Sequence, residues 1–124
     1  MLTEADISRI AARVAVAYQP LAVGVFGSYA TGTATSRSDL DLLVITKPGG
    51  AVAVDSRAVR RLLFDVLHPV DVQVLDPAEF EQTVRDYQSF AWVIVRQARL
   101  YHWDLEAYQV LPSLASRVGS PDVY

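Results

Sequence analysis

The sequence predicts an α/β domain of two layers, an α+β arrangement in which a small mixed β-sheet carries helices packed on one face. Three observations point there. Short runs rich in Val, Ile and Leu, at 21–26, 40–45 and 70–75, alternate with longer segments whose apolar residues recur at helical spacing. The chain has 124 residues, 52% hydrophobic and 20% charged, which is the balance of a globular protein able to close one core. It contains no cysteine, so the fold rests neither on disulfides nor on thiolate-bound metal.

Each element has its own signal. Thr3, with Asp6 three residues on, offers an N-cap, and Ile7, Ile10, Ala11, Val14, Ala17 and Tyr18 then line one helical face that ends near Pro20. Leu21 to Phe26 reads as a buried strand stopping at Gly27-Ser28, where a short helix is expected to begin. A polar loop of Thr, Ser, Ala and Gly runs from Tyr29 to Ser38. Leu40, Leu42, Leu43, Val44 and Ile45 form a second strand, closed by Lys47-Pro48-Gly49-Gly50. Val59, Leu62, Leu63, Val66 and Leu67 make the stripe of a second long helix, with Arg57, Arg60 and Arg61 turned outward. Val70 to Leu75 is a third strand. Asp76-Pro77 with Glu79 combines a cap, a first-turn proline and an acid near the positive helix end, and starts a helix carrying Phe80, Val84 and Tyr87. Ser89 caps one more helix through Gln97. Leu100, Tyr101, His102 and Trp103 lead into a tail whose Pro112, Gly119 and Pro121 discourage regular structure. The expected organisation is one domain over residues 1–103 and a C-terminal tail over 104–124.

Chemistry concentrates between Gly27 and Val44. Asp39 and Asp41 open a strand that is otherwise apolar, and a spacing of two puts both carboxylates on one face, about 7 Å apart at the backbone. They repel one another unless a cation lies between them. Side chains converging from such a spacing can hold two divalent cations roughly 3.5–4 Å apart, the arrangement that clamps attacking and leaving oxygens in phosphoryl transfer. Oxygen-only ligands suit Mg²⁺. Gly27-Ser28, where a strand ends and a helix begins, offers backbone N–H groups and a hydroxyl to a phosphate. Asp71 alternates outward with Gln73 and completes a three-carboxylate set if its strand lies beside the second.

A Gly-Ser pair, ten residues, then Asp-x-Asp and apolar strand residues is met by Gly27, Ser28, Asp39 and Asp41 without a gap, a pattern expected by chance in roughly one chain of this size in several hundred. In this the sequence resembles the minimal nucleotidyltransferases of the DNA polymerase beta-like superfamily, which include the MntA-type antitoxins of MNT–HEPN toxin–antitoxin pairs. The likeness runs from about Val23 to Leu75 and extends toward Tyr101. It implies the nucleotidyltransferase fold, with Asp39, Asp41 and Asp71 as catalytic metal ligands and Gly27 and Ser28 gripping the triphosphate. It also implies two Mg²⁺ ions, ATP as substrate, and transfer of AMP to a tyrosine hydroxyl of a HEPN toxin. One departure stands out: many members have Arg where this chain has Thr31, so the contact of that Arg is missing.

Plainer readings stand beside these. Ser38-Asp39 can cap a turn, Ser28 can be a plain helix cap, and Asp71 can be an exposed edge residue. Arg37 is a solvated loop residue or steers a triphosphate. His68 and His102 have no partner acid at a telling spacing and are assigned no role, and Trp92, Ile94 and Val95 read as core. Arg61 with His68 and Arg96 with His102 fit the loose Arg-to-His spacing of HEPN nucleases, a pattern too cheap to weigh. Neither a Walker loop nor a Gly-x-Gly-x-x-Gly turn is present. The net charge of -3 disfavours a long nucleic acid as partner. The acidic start Met1 to Asp6 and the lack of a long apolar run disfavour secretion and membrane insertion, so the cytoplasm is expected. Two rivals to the AMP-transfer reading stay open: an antitoxin acting by contact alone, and an aminoglycoside-type small-molecule nucleotidyltransferase, which usually adds an acceptor domain. Tyr101, Trp103, Tyr108, Val110 and Leu111 form either a docking patch for the partner or a cover for the sheet. A homo-oligomer is also open.

Overall fold

The computed structural model describes residues 1–48, 54–83 and 97–104. Its elements are α1 (Glu4–Tyr18), β1 (Ala22–Phe26), α2 (Ser28–Thr31), β2 (Leu40–Ile45), α3 (Ser56–Leu62), β3 (Val70–Leu75), α4 (Pro77–Thr83) and β4 (Arg99–Trp103). The strands form one mixed sheet in the order β3-β2-β1-β4, in which β1 is antiparallel to β2 and β4, and β2 is parallel to β3.

Strand alternation sorts the side chains into two layers. Val23 and Val25 of β1, Leu40, Leu42 and Val44 of β2, and Val72 of β3 pack with Ile7, Ile10, Ala11 and Val14 of α1 and Val59 of α3. The residues between them, Ala22, Phe26, Leu43 and Ile45, form a second cluster that includes Leu21, Ala98 and Phe80 of α4. By the same parity Asp41 and Asp71 lie on this second face, opposite α1 and α3. The pairs Ile45–Leu75 and Asp41–Asp71 are partners in the β2–β3 register, so the apolar cluster fills one end of the face and the acids stand at the other.

The helix caps follow the sequence reading. The Thr3 side chain accepts from the Asp6 backbone N–H at 3.1 Å, and Asp6 accepts from the Thr3 N–H at 2.8 Å, closing a capping box. Asp76 accepts from the Glu79 N–H at 2.7 Å at the head of α4. Helix α3 is shorter than its apolar stripe suggests. It ends at Leu62, Val66 is only partly buried, and Leu67 is 99% exposed. Pro69 bars the helix from reaching His68, but the chain leaves it earlier, the Phe64 and Val66 N–H groups donating three residues back, to Arg61 and Leu63. Arg13 fixes the turn from α1, with Nη2 donating to the Leu62 carbonyl at 2.7 Å and Nη1 paired with Asp65 at 2.9 Å.

Residues expected to lead into the tail instead form β4, the fourth strand, antiparallel to β1. Gly24 admits it closely: a Cβ there would stand 2.9 Å from the Arg99 carbonyl oxygen, beside the register shift at Val23/Gly24. Glu4 ties β4 to α1, accepting from Arg99 at 2.8 Å and from the Tyr101 hydroxyl at 2.8 Å. Trp103 and Tyr101 are half-buried against the sheet's two clusters. The helix expected from Ser89 falls almost wholly outside the described residues, as do Val84, Tyr87, Trp92, Ile94, Val95, Tyr108, Val110 and Leu111.

Candidate active site

Three segments meet at the acidic end of the sheet. The first is the turn from β1 into α2. Gly27 has φ +69°, a left-handed conformation that disfavours any side chain, and both the Ala30 and Thr31 N–H groups donate to its carbonyl. Ser28 opens α2, and the N–H groups of Ser28 and Tyr29 precede the first helical hydrogen bond, so neither has a partner inside the helix. The Thr31 hydroxyl turns inward, to the Gly27 carbonyl at 3.3 Å and to Thr33 Oγ1 at 3.0 Å. This chain therefore uses Thr31 to brace its own turn.

The second segment is the lead-in to β2. Thr35 and Ser38 close a small turn, with the Thr35 N–H donating to Ser38 Oγ at 2.8 Å and the Ser38 N–H to the Thr35 carbonyl at 3.1 Å. Arg37, exposed on that turn, donates its backbone N–H to Thr35 Oγ1. Asp39 follows, exposed, and Asp41 is half-buried one strand step later. The third segment is β3, whose Asp71 is the register partner of Asp41 on the adjacent parallel strand, with strands about 4.8 Å apart in the pairing direction. Strand β3 thus lies beside β2, the placement on which a set of three carboxylates depends.

Electrostatics mark Asp41. Burial first, then the charge of Asp71, then that of Asp39, hold its carboxyl above the usual range. None of the three carboxylates forms an ion pair with a basic side chain among the described residues. Gly27 presses on the same carboxylate, since a Cβ built there would lie 2.3 Å from Asp41 Oδ2. The Gly of the Gly-Ser pair thus serves two purposes, and the second, room for Asp41, could not be read from sequence. As the side chains stand, no three donors converge on one metal-sized point among the described residues. The donor set itself, all oxygen and all anionic, is the kind that Mg²⁺ gathers.

The structure also brings in a residue that the sequence reading left without a role. His68 Nε2 lies 2.8 Å from the Ser38 carbonyl oxygen, next to Asp39. The only hint in the sequence was its place before Pro69 at the entry to β3. His68 also borders an open cleft of about 400 Å³, lined by Ile10, Arg13, Val66 and Leu67 among others. It belongs to the α1 and α3 face, and its arginines are tied to Asp6 and Asp65, so it is not the site of the three acids. His102 lies in β4 opposite Val23, away from the acids.

Fold and site together define a class of two-layer domain that presents carboxylates from the first residues of neighbouring strands beside a Gly-Ser turn. A family model described as nucleotidyltransferase domain matches residues 7–100, and the chain belongs to that family: it is a nucleotidyltransferase. No curated protein sequence matches it. Among solved structures it is similar to a toxin–antitoxin with AMP-PNP, at 17% identity over 90% of this chain and 83% of that one, with TM-score 0.54. It is also similar to a mutant of the toxin–antitoxin MntA-HpeT, at 15% identity over 94% of this chain and 84% of that one, with TM-score 0.50. A third is a tri-AMPylated Shewanella oneidensis HEPN toxin in complex with MNT antitoxin, at 16% identity over 78% and 70%, with TM-score 0.38. At such identity the first two speak for a shared fold.

Proposed function

We propose that this nucleotidyltransferase moves AMP from ATP onto a hydroxyl of a partner protein, and that it is the antitoxin of an MNT–HEPN pair that modifies its toxin on tyrosine. The observation that carries the reading is the in-register pair Asp41 and Asp71, with Asp39 on the same parity and the Gly27-Ser28 turn against Asp41. Domains of this fold occurring in toxin–antitoxin structures, one of them with AMP-PNP, support the choice of nucleotide and partner.

In this reading the triphosphate lies over the α2 turn, where the N–H groups of Ser28 and Tyr29 and the Ser28 hydroxyl receive phosphate oxygens. Gly27 keeps the backbone close to the Asp41 carboxylate. Asp39, Asp41 and Asp71 would hold two Mg²⁺ ions, which when bound supply the positive charge that offsets developing negative charge on the attacking and leaving oxygens. The acceptor oxygen attacks the α-phosphorus in line, the bond to the bridging oxygen breaks, and pyrophosphate leaves with that electron pair. Asp71, at the exposed edge of the sheet, takes the proton of the attacking hydroxyl. The reaction runs in the cytoplasm, where ATP and Mg²⁺ are both present.

The test is to incubate the protein with the product of the neighbouring gene, Mg²⁺ and ATP, and to weigh that product by mass spectrometry. A gain of whole AMP units that disappears with Asp39→Asn is the expected result. An unchanged neighbour beside a modified small metabolite rules the protein acceptor out. Thr31, which braces the turn where the family resemblance leads one to expect Arg, favours a second reading, an antitoxin acting by contact alone. That reading expects toxin inhibition to persist in the Asp39→Asn variant.

A further inference from the structure

Resting on the reading of Asp39, Asp41 and Asp71 as cation ligands, we propose that His68 is a positioning residue for that site, holding the peptide before Asp39 in step with the strand that carries Asp71. The β2–β3 ladder begins at Leu40–Val70, with the Leu40 N–H on the Pro69 carbonyl at 3.0 Å. Asp39 lies one residue outside it and is exposed, so the ladder does not set its position. The next link outward is a side chain: His68 Nε2, 2.8 Å from the Ser38 carbonyl oxygen. A carbonyl only accepts, so Nε2 carries the proton and the tautomer is set by this bond.

A tyrosine packs against the same ring. Tyr29, buried and next to Ser28, meets the imidazole edge-on at 5.9 Å between ring centres, its hydroxyl 3.4 Å from Nε2. The Leu2 N–H donates to that hydroxyl at 3.1 Å, which locks the tyrosine in turn. One imidazole therefore touches the helix that follows the Gly-Ser turn and the peptide that ends at Asp39, while its own backbone runs into β3. With those three segments joined, the backbone that leads into Asp39 keeps a fixed relation to the strand that carries Asp71, although Asp39 itself lies outside the ladder. Groups that orient ligands in this way typically contribute about 10–100-fold to metal affinity or activity.

Two substitutions separate orientation from packing. His68→Phe keeps a ring against Tyr29 and removes the donor, whereas His68→Gln loses the ring and returns an amide N–H at a comparable reach. Mn²⁺ binding to the full chain, followed by the EPR signal of free Mn²⁺, should weaken about tenfold or more in His68→Phe. In His68→Gln it should return close to the wild-type value, with thermal melts confirming that each variant is folded. Wild-type affinity in His68→Phe, or a Gln variant as weak as Phe, overturns the proposal. Should Phe compromise folding, a folded Gln variant that binds Mn²⁺ no better than Asp39→Asn overturns it alone. Asp39→Asn also separates the two claims. If it loses Mn²⁺ while His68→Phe does not, the site stands and the positioning role falls; if it binds as wild type does, the cation assignment fails and this proposal with it.

Discussion

Gly27→Ala is expected to damage both stability and transfer. The residue sits at φ +69° and ψ -150°, a combination open to glycine and costing other residues roughly 1–3 kcal/mol. The new methyl would also stand 2.3 Å from Asp41 Oδ2, which must swing away. The carboxylate is the far end of a side chain, so that displacement adds only about 0.5–1.5 kcal/mol in strained rotamer. The sum, about 3 kcal/mol, lowers the melting temperature by roughly 9–15 °C in a domain of this size. On the proposed role of Asp41, transfer should fall about 10²-fold, because a group moved by about 1 Å loses alignment with the reacting atoms. Differential scanning calorimetry and labelled-AMP transfer read the two effects. Repeating the change in an Asp41→Ala background isolates the clash, where the stability loss should shrink to the backbone part alone. A Gly27→Ala protein that melts with the wild type and transfers AMP at full rate would refute the reasoning.

Asp41→Asn should raise the melting temperature in EDTA at neutral pH while abolishing transfer, since it removes a carboxylate crowded by burial, Asp71 and Asp39; a lower melting point speaks against that crowding. The sign follows from linkage: a folded-state pKa above the unfolded one means the native chain binds more protons, so this residue's contribution to stability falls as pH rises from the usual carboxylate range through the raised value. Mg²⁺ with ATP should raise the melting temperature of the wild type, by about 2.7 kcal/mol of stabilisation at a hundredfold excess over Kd, and leave Asp39→Asn unmoved. Burial first, then the hydrogen bond to Glu4, push the Tyr101 phenol up to about 12, so stability should decline between about pH 10 and 12. Tyr101→Phe should flatten that decline, which pH-dependent melting would show.

Hydrophobic periodicity made the elements carrying the site legible. Three strands, the capping box of Thr3 and Asp6 and the start of α4 all follow from local spacing, and local forces decide them. The end of α3 did not follow, because Val66 and Leu67 keep helical spacing while the chain turns at Leu62, where Arg13 from another segment takes the carbonyl. Strand β4 was hidden for the opposite reason. Leu100 to Trp103 lack a polar alternation and become a strand only by pairing with β1 across a long stretch of sequence. At the site, residue types and spacing pointed to Asp39, Asp41 and Gly27-Ser28. The pairing of Asp71 with Asp41 needed a strand order, which no local pattern contains. His68 was invisible for the same reason, since its meaning lies in a carbonyl of another segment.

The central antiparallel pair, β1 and β2, is joined not by a tight turn but by residues 27–39, the very segment that carries Gly27, Ser28 and Asp39. Closing a connection of roughly a dozen residues instead of two slows the pairing entropically, by about 1.6 kcal/mol in chain entropy. Evolution could recover that by trimming the loop, and a protein engineer would be tempted to do the same. Here trimming would cut into the segment that carries Gly27, Ser28 and Asp39, so loop closure and the proposed chemistry draw on one stretch of chain, and thermostable descendants of this sequence should gain their stability elsewhere.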